Sequence, residues 1–278
     1  MERERHKSKR GTHKMSDQNE RKTGFRLKWL GCAGFEMDFG GFHVVSDPFM
    51  TDFKNNPLTW EAVEKCDVIV LTHGHYDHIT DIPVLYRKFG AKILCGERTS
   101  LPLIEWANLS PMDVLPVCPG LELDFDAVRI KALFGVHTKL APSYEALLER
   151  HAKSQYIQEH PEWAAVNRMG NLEYRNYLFT APSGLKVLHW GNPLNTFLCN
   201  IMRETKADIL IQQMTGTIPD PDLLIRICQD MGTKVLIANH VDFPGDYREK
   251  ALRNKEIVEK ALPDIRFIIP EYDQWMEL

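Results

Sequence analysis

Val68-Ile69-Val70-Leu71 is an unbroken run of four aliphatic residues. Such a run suits a strand buried on both faces, which demands a layer of structure on each side of its sheet. Directly after it comes Thr72-His73-Gly74-His75-Tyr76-Asp77-His78, with three histidines and an aspartate inside six residues. A strand end delivers side chains to one edge of a sheet. His73 and His75 are two apart, so on extended backbone they face the same side. Two imidazoles at that spacing can bind one metal ion, while Asp77 and His78 turn away and can serve a second. Histidine is the commonest zinc ligand, and a catalytic zinc has about three protein ligands plus a water. Gly74 carries no side chain to block a metal. A polar loop without metal competes as a reading of any one of these histidines, but poorly for the whole string.

The flanking pattern predicts a layered α/β sandwich. Phe25–Trp29, Gly34–Phe39 and Phe42–Ser46 read as a strand meander with a turn at Gly40-Gly41. Trp60–Cys66 reads as a short helix, and Asp81 is placed to cap a helix from Ile82 to Phe89 closed by Gly90. Lys92–Cys95 reads as strand, Thr99 opens a helix, and Leu121–Phe125 with Val128–Phe134 forms a hairpin-like pair. Ser143 to about Asn171 is helical in propensity and sits between strand patterns, as an inserted arm over about 138–176. Strands resume at Asn176–Thr180, Leu185–Trp190, Asp208–Gln212 and Lys234–Ala238, with a helix over Pro221–Asp230. Asp246 and Glu249 resemble a capping box before a helix to Leu262, and Ile265–Ile269 reads as the last strand. The order is strand-rich, mixed, strand-rich, mixed, within one domain over 24–278.

Charge narrows the partners. Residues 1–22 hold eight Lys/Arg and four Asp/Glu, which leaves −8 for the remainder of a chain whose total is −4. Residues 1–23 read as a disordered basic tail, an upstream extension with Met15 as a candidate start. The acidic body argues against nucleic acid as the main partner. No apolar run approaches the ~18–20 residues of a membrane span, and no secretory leader pattern opens the chain. The six cysteines are scattered with no C-x-x-C pair. Neither a disulfide scaffold nor a cysteine zinc site is expected, and reduced thiols fit a cytoplasmic protein. The partner expected is a small-molecule substrate, with a homo-oligomer left open.

The H-x-H-x-D-H string resembles the signature loop of the metallo-β-lactamase superfamily, and the resemblance runs from about Leu27 to Tyr272. It implies an αββα four-layer sandwich with metals in a cleft along one sheet edge. His137, in Phe134-Gly135-Val136-His137, matches the family's third histidine, and His240, in Ala238-Asn239-His240, matches its fourth. The bridging acid of the family falls at Asn192, where this chain has an amide. The resemblance therefore puts His73, His75 and His137 on one ion and Asp77, His78 and His240 on another, with Asn192 between them. Asp77 and His240 also stand as the catalytic candidates. The ions implied are one or two divalent metals, zinc first, with Mn2+, Fe2+ or Ni2+ as alternatives. Paired ions polarise a substrate oxygen and generate a metal-bound hydroxide near neutral pH, so no serine or cysteine nucleophile is needed. Trp29-Leu30-Gly31-Cys32-Ala33-Gly34 and Ser46-Asp47-Pro48-Phe49 are similar to the subgroup of ascorbate-6-phosphate lactonase and N-acyl-phosphatidylethanolamine-hydrolysing phospholipase D. Hydrolysis of a lactone or phosphodiester is the implied reaction.

Further residues carry weaker expectations. Asp47 is placed to accept a hydrogen bond from a ligand histidine, or simply to form the turn before Pro48. His189 either touches substrate near position 192 or is a satisfied strand-end histidine. Cys32 reads as packing, since no matched base is adjacent. Tyr144, Tyr156 and Trp163 belong either to a cap over the cleft or to helical packing, and His151 and His160 read as exposed. Rival functions are a di-iron redox protein, against which His75 stands because glutamate is usual there, a ribonuclease Z-type nuclease, and a metal-binding but non-catalytic member lacking the bridging carboxylate.

Overall fold

The computed structural model describes residues 24–137, 154–191, 196–215 and 219–278. The basic stretch 1–23, Tyr144, His151 and Asn192 lie outside the described residues.

Two seven-stranded mixed sheets build the molecule. The first runs β1 (Phe25–Gly31), β2 (Gly34–Phe39), β3 (His43–Ser46), β4 (Val68–Val70), β5 (Lys92–Gly96) and β6 (Val114–Val117). The second runs β7 (Glu122–Asp124), β8 (Arg129–Gly135), β9 (Tyr174–Thr180), β10 (Lys186–Trp190), β11 (Ile209–Gln213), β12 (Val235–Asn239) and β13 (Arg266–Ile268). In each, an antiparallel meander passes into a parallel ladder, β3 to β6 in one and β10 to β13 in the other. The parallel strands are joined through helices α1 (Tyr76–Ile79), α2 (Ile82–Phe89), α3 (Glu97–Ala107), α6 (Thr196–Thr205), α7 (Pro221–Met231) and α8 (Tyr247–Ala261). Between β8 and β9 lie α4 (Gln155–Glu159) and α5 (Ala164–Gly170), the described part of the inserted arm.

Strand alternation sorts the core. Val68 and Val70 point into the layer between the sheets, beside Phe35, Tyr177 and Trp190, whereas Ile69 and Leu71 pack with Ile82, Leu85 and Leu103 of α2 and α3. That is the two-sided burial that the aliphatic run requires.

Some local expectations change. Ile265–Ile269 contributes the strand Arg266–Ile268, but it is not the last one: β14 (Trp275–Glu277) returns to pair with Arg26–Lys28 on the edge of β1. Three residues carry too little pattern to be read alone. The Trp275 ring is held instead by side chains from elsewhere: the Arg26 guanidinium sits over it, and its indole N–H donates to Glu64. The helix expected at Trp60–Cys66 is a single turn, Trp60–Ala62, whose last carbonyl is taken by the Lys28 ammonium at 2.7 Å. Asp81 precedes α2 but does not cap it. Its carboxylate accepts the Met50 and Thr51 N–H groups and pins the segment after β3. Asp246 likewise makes no side-chain capping bond to α8; it pairs with Lys250 at 2.7 Å.

The two sheets are tied together where β4 ends. The Tyr177 hydroxyl, buried on β9, donates to the Leu71 carbonyl at 2.9 Å, and the Arg175 N–H donates to the Thr72 carbonyl at 2.8 Å. These bonds fix the start of the histidine segment from across the interface. Tyr177→Phe should therefore cost about 1–2 kcal/mol, the loss of a buried donor to a carbonyl. Urea unfolding measures it, and an unchanged midpoint would show that the bond contributes nothing.

Candidate metal centre

His73 follows the end of β4, and His75, on extended backbone, immediately precedes the single turn α1, which carries Asp77 and His78. The backbone turns helical there, yet the His78 ring stays 4.1 Å from that of His73. His137 leaves the end of β8 and His240 the end of β12. The ring of His137 lies 4.8 Å from that of His73 and 4.5 Å from that of His75. Donor atoms of these three lie within 4.8 Å of one another. His240 Nε2 lies 3.7 Å and His78 Nε2 3.6 Å from the Asp77 carboxylate. All six described candidates thus meet in one place. Asn192 lies outside the described residues.

Four of the rings share a pattern of partners. His73 Nε2 and His75 Nδ1 face each other across 2.9 Å, while their other nitrogens are held from behind by Thr72 Oγ1 at 3.1 Å and Asn171 Oδ1 at 3.2 Å. His78 Nδ1 is 3.3 Å from Asp47 Oδ2, and His240 Nδ1 is 3.1 Å from Thr215 Oγ1. In each of the four, one nitrogen has an outer partner and the other faces the cluster. Outer partners of this kind fix the tautomer and ring position of metal-binding histidines. Asp47 also accepts the Thr72 N–H and hydroxyl, at 2.8 and 2.9 Å, so the Thr72 oxygen has lone pairs left for His73.

Burial sets the protonation of the second cluster. It drives His240 well below the ordinary imidazole range, reinforced by His78, His189 and His137. The same burial acts on His78, but the Asp77 and Asp47 carboxylates outweigh it and hold that ring above its ordinary value. His189 is fully buried on β10, against Phe35 and Asn239, and does not line the cleft described below.

Several contributors were not legible in the sequence. Cys32 does pack with Ala33, Phe49 and Phe53, as expected, but its Sγ also lies 2.7 Å from His240 Nε2. Its donor atom groups with those of Asp77 and His240 within 4.8 Å. Asp242 is turned away to accept the Cys32 N–H and the Tyr272 hydroxyl. The arm supplies Asn171 behind His75, and Asn167 accepts the Tyr76 N–H at 2.9 Å. Gly74 proves to serve that arm: a Cβ there would come 2.5 Å from the Val166 carbonyl. The ring of Tyr174 stacks on His73 at 4.6 Å. An asparagine or glycine in a helical arm carries no local signal of such a role.

Residues 43–141 match the Beta-lactamase superfamily domain. A UPF0173 metal-dependent hydrolase of Thermoplasma volcanium is 32% identical over 115 residues, which take in 41% of this chain and 48% of that protein. The chain thus aligns with about half the length of the curated relatives it matches. Among solved structures, Igni18, a metallo hydrolase of Ignicoccus hospitalis, superposes with a TM-score of 0.69 at 17% identity over 92% of this chain and 99% of that one. CmlA, a diiron β-hydroxylase of Streptomyces venezuelae, superposes with a TM-score of 0.63 at 12% identity over 92% of this chain and 54% of that one. The fold is the metallo-β-lactamase fold. The segment that matches the superfamily domain, residues 43–141, holds five of the six described candidates.

Gly170 offers a test of how tightly the arm positions His75. A Cβ there would lie 2.3 Å from the imidazole Cδ2 and 2.8 Å from the His75 N–H nitrogen. Gly170→Ala should displace the ring and cost about 1–3 kcal/mol of overpacking. Imidazole NMR resonances should shift for His75 and stay in place for His240. An unmoved His75 with full stability would show that the arm has slack.

Proposed function

We propose that the chain is a metal-dependent hydrolase that binds two divalent ions and cleaves an ester-like bond in a small molecule. One site would be held by His73, His75 and His137, the other by Asp77, His78 and His240. The observation that carries this reading is the shared pattern of partners, with outer nitrogens engaged by Thr72, Asn171, Asp47 and Thr215 and inner nitrogens turned to the cluster. Rings fixed this way present a nitrogen to the cluster before any ion arrives. Such ions supply an activated water and polarise the substrate oxygen. The fold alone does not choose hydrolysis, since a diiron hydroxylase shares it. The hydrolase reading is supported by the sequence relatives, which are named metal-dependent hydrolases, and by His75 at the second position of the string.

The substrate side is aromatic. A cleft of about 300 Å³ is lined by Phe49, Phe53, Tyr76, Tyr156 and Phe243, with Lys54 as its one cation among the described lining residues. It adjoins the cluster, since Tyr76 follows His75 and Phe243 stacks on His240 at 4.7 Å. Tyr156 of the arm stacks on Tyr76 at 4.7 Å, so the arm forms one wall. An apolar group on the substrate fits this wall. Lys54 suits a negative charge, which a phosphodiester carries and a neutral lactone does not; the phosphodiester is the better match of the two.

Elemental analysis of the purified chain should find up to two divalent ions, and His75→Ala should lose the ion of the three-histidine site and all hydrolysis above background while keeping its circular dichroism. Wild-type turnover with unchanged metal content would refute the assignment. With an aryl phosphodiester and an aryl lactone as probes, Tyr156→Ala should raise KM several-fold with little change in kcat, the pattern of lost uniform binding. An unaltered KM for both would remove the arm from the substrate site.

A further inference from the structure

We propose that Cys32 is a metal ligand: its Sγ, the Asp77 carboxylate and His240 Nε2 form a thiolate–carboxylate–imidazole site beside the three-histidine site. This rests on the metal-centre reading above and adds to it a sulfur donor in a chain whose cysteine spacing carries no zinc-binding pattern.

Three observations point to it. First, the donors converge. Sγ lies 2.7 Å and the nearer Asp77 oxygen 3.7 Å from His240 Nε2, and all three donors fall within 4.8 Å of one another. A tetrahedral ion with bonds of about 2.0–2.3 Å holds its donors about 3.5 Å apart. Second, the backbone is built to deliver both side chains. Cys32 and His240 each adopt left-handed backbone, with φ of 50° and 60°. Non-glycine residues persist in that region only where the surroundings over-determine them. Here the His240 N–H donates to the Cys32 carbonyl at 2.9 Å, the Trp29 indole donates to the same carbonyl at 3.1 Å, and Asp242 accepts the Cys32 N–H at 2.8 Å. Packing a small thiol needs none of this. Cys66, Cys95, Cys199 and Cys228 are also buried, yet among the described residues only Cys32 belongs to a group of potential ligands.

Third, the charge count calls for it. Among the donors of the two described groups, His73, His75 and His137 in one and Cys32, Asp77 and His240 in the other, Asp77 is the one carboxylate. Two dications against one negative charge repel each other strongly. A thiolate supplies a second negative charge beside the second ion. On binding, the Cys32 S–H bond breaks, the metal–sulfur bond forms, and the proton passes to solvent. A sulfur donor also makes this position prefer Zn2+, Co2+ or Cd2+ over Mn2+ or Mg2+.

Cobalt tests the proposal without reference to turnover. The full chain carrying Cys118→Ser, which removes the exposed thiol, is stripped of metal and titrated with Co2+ while the absorption spectrum and bound metal are followed. The expected result is two equivalents bound, with a thiolate-to-cobalt charge-transfer band in the near ultraviolet that grows with one of the two steps. Adding Cys32→Ser should abolish the band and weaken that step by more than the roughly 10–100-fold typical of losing an outer partner, leaving the other step unaltered. Two equivalents bound without the band would overturn the ligand and leave the metal-centre reading standing, as would a band that survives Cys32→Ser. Failure to bind cobalt at all would overturn both. If the serine variant does not fold, the spectrum of the chain that retains Cys32 still decides.

Discussion

Asp47 is a fully buried carboxylate with left-handed backbone at φ 40°, placed where β3 ends and the chain leaves the sheet. Its oxygens take the Thr72 N–H and hydroxyl, and one of them lies 3.3 Å from His78 Nδ1. A charge with no solvent access is costly unless hydrogen-bonded on every side, and here the donors that satisfy it are the residue before the first histidine and the last histidine of the string. The conformations of the β3 end, the β4 end and α1 are therefore solved together. Because the Thr72 hydroxyl donates to Asp47, its oxygen is free to accept from His73. One buried carboxylate thus orders three members of the cluster, and its strained backbone is offset by the bonds that it makes.

The inserted arm does more than wall the cleft. Val166 presses on Gly74, Gly170 leaves room for the His75 ring, Asn171 lies behind that ring, and Asn167 takes the first free N–H of α1. One arm thus carries both a wall of the cleft, at Tyr156, and the residues packed on the histidine segment. A change of specificity in the arm would consequently be felt by the three-histidine site. Glu173, near the end of the arm, accepts the Arg98 and Thr99 N–H groups in the first turn of α3, beside Gly96, where a Cβ would strike its carboxylate. The arm is thereby anchored to the first sheet as well as to the cluster.

The aromatic cleft and the polar cluster meet along one edge of the molecule, at the carboxyl ends of β3, β4 and β12. Open sheets commonly bind ligands at such ends, because the chain leaving each strand can turn aside there and expose backbone and side chains together. Phe49, two residues beyond Asp47, and Phe243, three beyond His240, show how the same strand exits supply both a polar residue and an aromatic wall.

Much of this was legible in the residues themselves. The aliphatic run 68–71 demanded a covered sheet, alternation marked most strands to within a residue or two, and the H-x-H-x-D-H string announced a cluster because its spacing acts locally, over a strand end and one helical turn. Family resemblance supplied His137 and His240, which no local pattern marks. Strand β14 was missed because three residues carry no period, and its pairing is decided by the β1 edge and by what holds the Trp275 ring. Cys32 read as packing because its partners, Asp77 and His240, are 45 and 208 positions away. Local spacing reports on side chains within a turn or a strand of one another. Only the closure of the two sheets, with Cys32 and His240 held by a shared hydrogen bond in left-handed backbone, decided which distant groups would lie together.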